Sequence, residues 1–329
     1  MPEQVYEFDG PGELFEVAEE LPEAERHPVY AYNPDLDEWE VIPWRDSVWL
    51  EDGRMVGDVS SNERYYNVIQ YGEILEALGK ATESNFDIEI RRGTVTVSSS
   101  GHRAVGEVDI SGDLEIEPVE GDVMDPQIRF SAGHTGQHGI KYDLGAIRQI
   151  CENGMRGFVK DMHLEQTHRK PLDYNLPRRL VTEVGDGVKE AEKKLVEAKD
   201  RYFKSLEECL LVLYDFDIHR YISNDDGIDL LRKGLEEEVD GERPTLYDTY
   251  NAATRVLTHE SDGTPRHMVE DGLETAGDLI DYENYGVPEP EYLGKRAVQR
   301  RSSEIEESGE ILFEGEQEAV SKLASEYGI

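Results

Sequence analysis

Acid is spread along the whole of this chain rather than gathered in a tail, and this constrains folding more than any other feature. The 329 residues carry 73 Asp+Glu against 34 Lys+Arg, a formal net charge of -39. Such a charge keeps a protein soluble but opposes compaction by self-repulsion. At molar salt the Debye length falls to about 3 Å and the repulsion is screened. The cations favour Arg over Lys, and the whole pattern reads as adaptation to a salt-rich cytoplasm, as in halophilic archaea. A hydrophobic content of 37% and periodic segments argue against a disordered acidic chain. The length suits one large domain or two ordinary ones.

Two cysteines, Cys151 and Cys209, cannot make a disulfide framework. The start, MPEQVYEFDGPGELF, lacks a basic n-region and an apolar h-region, and no window approaches about 18 consecutive apolar residues. These features predict a soluble cytoplasmic protein with no secretion signal and no membrane partner.

Residues 1–55 read as an acidic N-terminal hairpin or flap. Val29-Tyr30-Ala31-Tyr32 and Trp39-Glu40-Val41-Ile42 alternate like strands around Asn33-Pro34-Asp35. Trp39, Trp44 and Trp49 are expected to anchor this flap rather than stack on bases. Residues 56–180 read as an α+β core. Tyr66, Ile69, Ile74, Leu75 and Leu78 have helical spacing, with Gly79 as a stop. Residues 85–90 and 94–98 read as strands turning at Arg91-Arg92-Gly93. Residues 102–110 alternate again and 127–130 form a short strand, together an antiparallel meander. Leu144, Ile147, Ile150 and Cys151 mark a helix face closed by Asn153-Gly154 as its C-cap. Residues 155–167 read as a strand, and Pro171 and Pro177 bracket a linker.

Residues 181–280 read as a helical region. Along 186–213, Val188, Ala191, Leu195, Ala198, Tyr202, Leu206 and Cys209 recur at three and four, close to a heptad seam. This long helix either packs on its own domain or pairs with a second copy. Residues 228–235, 246–257 (capped by Thr245) and 268–279 follow as shorter helices, and 281–329 as an acidic, partly flexible tail. The expected fold class is α+β: a helix plus antiparallel β-meander core, followed by a mostly helical C-terminal half.

Chemistry concentrates in residues 131–170. A glycine-rich loop, Gly133-His134-Thr135-Gly136-Gln137-His138-Gly139, leads through Lys141 and Arg148 to Cys151-Glu152-Asn153-Gly154-Met155 and on to His168-Arg169-Lys170. The loop lacks the Gly-Lys-Ser/Thr end of a P-loop and the spacing of a dinucleotide fingerprint. A tight turn is its commoner explanation. His134, His138, His163, His168 and Cys151 invite a metal reading, but no HExxH or CxxC accompanies them, and no metal or cofactor is expected. Cys151 lies on the apolar side of its segment, where a buried structural thiol is usual. Between Lys141 and Lys204, fourteen Lys/Arg stand against eleven Asp/Glu, a balance of +3 in a chain of -39. A segment so spared from acid is suited to a polyanion. Phosphate contacts weaken with salt, so Tyr142, Phe158 or Tyr174 would add stacking. Local pairing of these cations with Glu on a solvated helix is the competing account.

Arg148-Gln149-Ile150-Cys151-Glu152-Asn153-Gly154-Met155 with the later His168 resembles the R-x-x-C-x-N-G motif and downstream His of the phage/plasmid-like family, a domain of unknown function. Val59-Ser60 with Tyr66-Asn67-Val68-Ile69 resembles its opening motif, and Thr245 with Asn251-Ala252-Ala253-Thr254 its late element. The resemblance covers residues 55–260 and implies a mobile-element or viral origin rather than a reaction. The order helix, meander, glycine turn, helix is also similar to that of single-strand annealing proteins, which bind single-stranded DNA in the basic groove of an oligomeric ring. That likeness would place Arg91, Arg92, Lys141, Arg148, Arg156 and Lys160 in the groove, with Arg169 and Lys170 extending it and Cys151, Asn153, Gly154 and His168 as a structural motif.

Two readings of function result, beside a less favoured metal-dependent enzyme. One is a non-enzymatic, homo-oligomeric protein of a halophilic mobile element that binds single-stranded DNA. The other is a structural or interaction protein assembling through its long helix.

Overall fold

The computed structural model describes residues 2–85, 88–111, 114, 117–118, 120–136, 138–148, 155–222, 226–239, 241–260, 263–282 and 286–329, with the backbone alone for 146–148 and 155–163. Its elements run β1 (Gln4–Asp9), α1 (Gly10–Glu20), β2 (Ala24–Asn33), β3 (Glu38–Leu50), β4 (Met55–Ser60), α2 (Tyr71–Glu83), β5 (Glu89–Val97), β6 (Arg103–Ser111), β7 (Met124–Gly133), β8 (Ile140–Arg148) and β9 (Met155–Gln166). Helices follow: α3 (Asn175–Lys199), α4 (Leu206–Asp215), α5 (Gly227–Glu238), α6 (Leu246–His259), α7 (Arg266–Gly277), α8 (Pro290–Ser308) and α9 (Glu316–Tyr327). The fold is α+β. The chain divides into one compact unit of residues 1–115, 125–144 and 162–187, and a second of 116–124, 145–161 and 188–329. Among the described residues no helix is long and apolar enough to cross a membrane.

In the first unit the N-terminus belongs to the core and is not a flap. β1 pairs antiparallel with β5 in a six-stranded sheet of order β1-β5-β6-β7-β8-β9. α1 opens with Pro in its first turn, where the missing amide costs nothing, and buries Leu14 and Val17. α2 starts at Tyr71, five residues after the expected first member Tyr66. Gln70 and Glu73 form a capping box at its start. It runs past Gly79 to Glu83 because that glycine sits at the crossing with α1: an added Cβ would lie 2.7 Å from Leu14 Cδ2. Leu78, Ile74 and Tyr142 fill the space between these helices and the sheet, all fully buried.

Three other expectations in this unit are corrected. Arg91-Arg92-Gly93 is not a hairpin tip, because β5 continues through it with a register shift between Ile90 and Arg92. The segment around Leu144 is a strand rather than a helix: Ile140, Tyr142 and Leu144 are buried at alternate positions, and the sheet period overrides the three-residue spacing. Pro177 does not end a linker but stands in the first turn of α3.

In the second unit α4 is buried from Glu208 to Leu213 and packs against α5, α6, α8 and α9. The single helix expected over 186–213 is two helices. α3 ends at Lys199 and α4 restarts with Ser205 Oγ accepting from the Glu208 amide at 3.3 Å. Between them, Phe203 N–H donates to Pro244 O and Leu246 N–H to Arg201 O, at 2.9 and 2.8 Å, drawing the chain out of helix. α6 carries the expected cap, with Thr245 and Asp248 exchanging bonds of 3.0 and 2.8 Å. The C-terminal tail is largely ordered helix. Arg301 and Glu316, both buried, join α8 to the start of α9 at 2.5 Å.

Candidate functional site

The glycine loop joins β7 to β8 and gathers four aromatic side chains from distant parts of the first unit. Tyr66 donates its hydroxyl to His134 O at 2.6 Å, and its ring stacks on His168 at 4.9 Å. The His168 ring lies between Asn67 O, 3.0 Å from Nδ1, and His138 O, 2.9 Å from Nε2. Asn67 N–H in turn donates to His168 O at 2.7 Å. The His134 ring stacks on Tyr71 at 3.9 Å, while both its nitrogens are buried without a hydrogen-bond partner. Burial, and secondarily the nearby His168, pushes the His134 imidazole down to about 3, so it is neutral at ordinary pH. Burial likewise raises the Tyr66 and Tyr71 phenols.

These contacts run mainly to backbone carbonyls, so the cluster pins two chain segments to the loop. Among the described residues no three His, Cys, Asp or Glu side chains are arranged to hold a metal ion. Cys151, Asn153 and Gly154 lie outside the described residues, as does the His163 side chain.

The expected basic groove is only partly visible, and what is visible is largely neutralised. Arg91 faces Asp125 at 3.5 Å, and Arg92 Nε donates to Asp109 Oδ2 at 2.7 Å, which raises the Arg92 guanidinium further. The other Asp109 oxygen accepts from Gln127 at 2.7 Å, and Glu107 pairs with Arg129 at 3.0 Å. β5, β6 and β7 therefore hold exposed Arg91 and Arg92 against carboxylates, beside buried Glu107, Asp109 and Arg129, where a DNA groove would need free cations. Lys141 is half-buried and engaged by neighbouring groups. Arg148, Arg156 and Lys160 occupy β8 and β9, with side chains outside the described residues. Arg169 and Lys170 are exposed in the turn after β9. β5 stands four places from β9 in the sheet, about 19 Å at usual strand spacing, and Arg169 follows β9. Of the proposed stacking residues, Tyr142 is buried, Phe158 lies among the undescribed side chains, and Tyr174 is 46% exposed.

The most exposed apolar feature is the segment that carries Trp39 and Trp44. β2 and β3 form a long antiparallel ribbon, and β4 reaches along β3 only as far as Arg45. The base of the ribbon is fixed: Ala24, Val48, Leu50 and Val59 pack with Tyr66, and Arg26 grips Asp46 through two bonds of 2.6 and 3.1 Å. Beyond the base, residues 29–44 form a two-stranded arm. Tyr30 lies opposite Val41 and Tyr32 opposite Trp39, so these four share one face. The rings of Tyr32 and Trp39 are 5.6 Å apart. Trp39 is 68% exposed and Trp44 70%, with Tyr30, Tyr32, Leu36 and Val41 also exposed. The tryptophans therefore do not anchor a flap. Trp49, at the base, is 37% exposed and donates to Ser47 Oγ at 2.8 Å. The arm carries Asp35, Asp37, Glu38 and Glu40 and no Lys or Arg.

No family model, no curated protein and no solved structure matches the chain.

Proposed function

We propose that this is a non-catalytic interaction protein whose aromatic β-arm is its docking element. The observation that carries the reading is the row of Tyr30, Tyr32, Trp39 and Val41 on one face of the outer arm, beyond the reach of β4 and, among the described residues, paired with no third strand. Single exposed apolar residues need no explanation, but a contiguous aromatic patch marks an interaction site. An isolated two-stranded ribbon is also marginal in water and gains from being covered. The arm's four carboxylates repel phosphate, so its partner is a protein surface rather than a nucleic acid.

Assembly through the long helix is less favoured, because Val188, Ala191, Leu195 and Ala198 are already buried within the chain. The acid-rich composition suits work in a salt-rich cytoplasm, and the phage/plasmid-like resemblance suits a mobile-element origin. The test is affinity capture from cell extract at constant molar KCl, with the wild type and a Trp39→Ser/Trp44→Ser variant as baits. Specific capture by the wild type and its loss in the variant is expected. An identical captured set from both baits would overturn the reading.

Single-stranded DNA binding is a second reading, favoured by the exposed run Arg169, Lys170, Tyr174, Arg178 and Arg179. It predicts that Arg169→Glu/Lys170→Glu abolishes the fluorescence anisotropy change with labelled single-stranded DNA. No change with the wild-type protein would remove it.

A further inference from the structure

We propose that the surface the arm docks on is a second copy of this chain, at the cationic segment from Arg169 to Arg179. The inference rests on reading the arm as a docking element and adds the identity of its occupant. The arm presents aromatic rings on one face and Glu38 and Glu40 on the other, so a complement that wraps this two-stranded ribbon must supply cations with flat or extended stems. Guanidinium groups meet both demands, since they stack on Trp and Tyr faces and bond carboxylates bidentately.

The chain is acidic nearly everywhere, yet residues 168–179 hold Arg169, Lys170, Arg178 and Arg179 against the single carboxylate Asp173. All four cations are exposed, and among the described residues none makes an ion pair or side-chain hydrogen bond. Tyr174 stands exposed between them, and α3 begins at Asn175, where the Asp173 carboxylate accepts from the Asn175 amide at 3.0 Å. The segment is thus built on an ordered turn rather than a loose tail. Elsewhere in the first unit the cations are mostly engaged, as Arg26, Arg54, Arg91 and Arg92 are with carboxylates.

The arm cannot satisfy itself in cis, since its aromatic face and the cationic segment are both exposed in the same chain. Pairing between copies covers both. Molar salt screens long-range steering, but stacking and carboxylate–guanidinium pairs at contact distance lie within the Debye length. The contact joins two different patches, so each copy offers an arm and a seat. Two copies can exchange arms, or several can close a ring.

The experiment is chromatography with light scattering at constant molar KCl on four folded proteins, checked by circular dichroism. They are the wild type, Glu38→Lys/Glu40→Lys, Arg169→Glu/Arg178→Glu, and the combination of the two. The wild type is expected at twice the single-chain mass or more, each charge reversal as a monomer, and the combined swap as an oligomer again. A monomeric wild type, or an oligomer that survives Arg169→Glu/Arg178→Glu, overturns the inference. Affinity capture separates the two claims. A monomeric wild type that still captures another protein through Trp39 and Trp44 loses this inference and keeps the docking reading. An arm variant that alters neither mass nor capture removes both. Single-stranded DNA bound by a monomer and lost on Arg169→Glu assigns the cationic segment to nucleic acid and also overturns the inference.

Discussion

His134 makes a quantitative prediction because its burial converts directly into pH-dependent stability. In the unfolded chain a histidine takes up its proton below about pH 6.5. In the folded protein the ring is held neutral down to about 3, by burial first and by His168 second. Between those limits the unfolded state binds more protons, so stability falls as pH falls. At pH 5 the unfolded ring favours its protonated form by about thirty to one, and RT times the logarithm of that ratio is about 2 kcal/mol. The figure is insensitive to the folded value anywhere below about 4. His134→Phe keeps a ring against Tyr71 and removes the titration. Urea unfolding followed by far-ultraviolet circular dichroism, at pH 7 and pH 5 in constant molar KCl, measures both proteins. The wild type should lose about 2 kcal/mol more than the variant across that interval. Equal losses would refute the assignment of a neutral, unpartnered ring to this position.

Three further outcomes follow from packing. Gly106→Ala places a Cβ 2.0 Å from Phe130 Cε1 and should cost about 1–3 kcal/mol, read as a lower urea midpoint; Gly12→Ala, with open space around it, should cost nothing. Glu316→Ala leaves Arg301 buried with only the partly exposed Glu304 as counter-charge, and should cost about 3 kcal/mol in thermal unfolding. Cys209 is fully buried and its thiol is raised by that burial, so in a Cys151→Ser background a thiol reagent should label nothing until the protein is unfolded.

Local signals reached the parts of the fold that local chemistry decides. Thr245 announces the start of α6, and alternation marks β6. The misreadings arose where distant partners decide. Arg91-Arg92-Gly93 has turn composition, but Phe8 of β1 lies over Gly93 and keeps the strand going. Helical spacing from Ala198 through Tyr202 to Cys209 hides a break set by bonds to Pro244 and Leu246. The site was harder still. Arg92 and Arg91 look available for a polyanion until Asp109 and Asp125, remote in sequence, are seen beside them. The ribbon's alternation was legible from Val29 to Ile42, but whether anything covers Trp39 and Trp44 is a property of the folded surface. An aromatic hairpin whose only charged residues, from Val29 to Trp44, are acidic was the available clue.

Acrylamide quenching of tryptophan fluorescence in a Trp49→Phe variant reads whether a protein surface covers the aromatic arm. Trp39 and Trp44 are then the chain's only tryptophans. Strong quenching is expected in the dilute single chain, with a several-fold fall as concentration, or a captured partner, brings assembly. Quenching that stays high while light scattering records an assembled complex would contradict a covered arm.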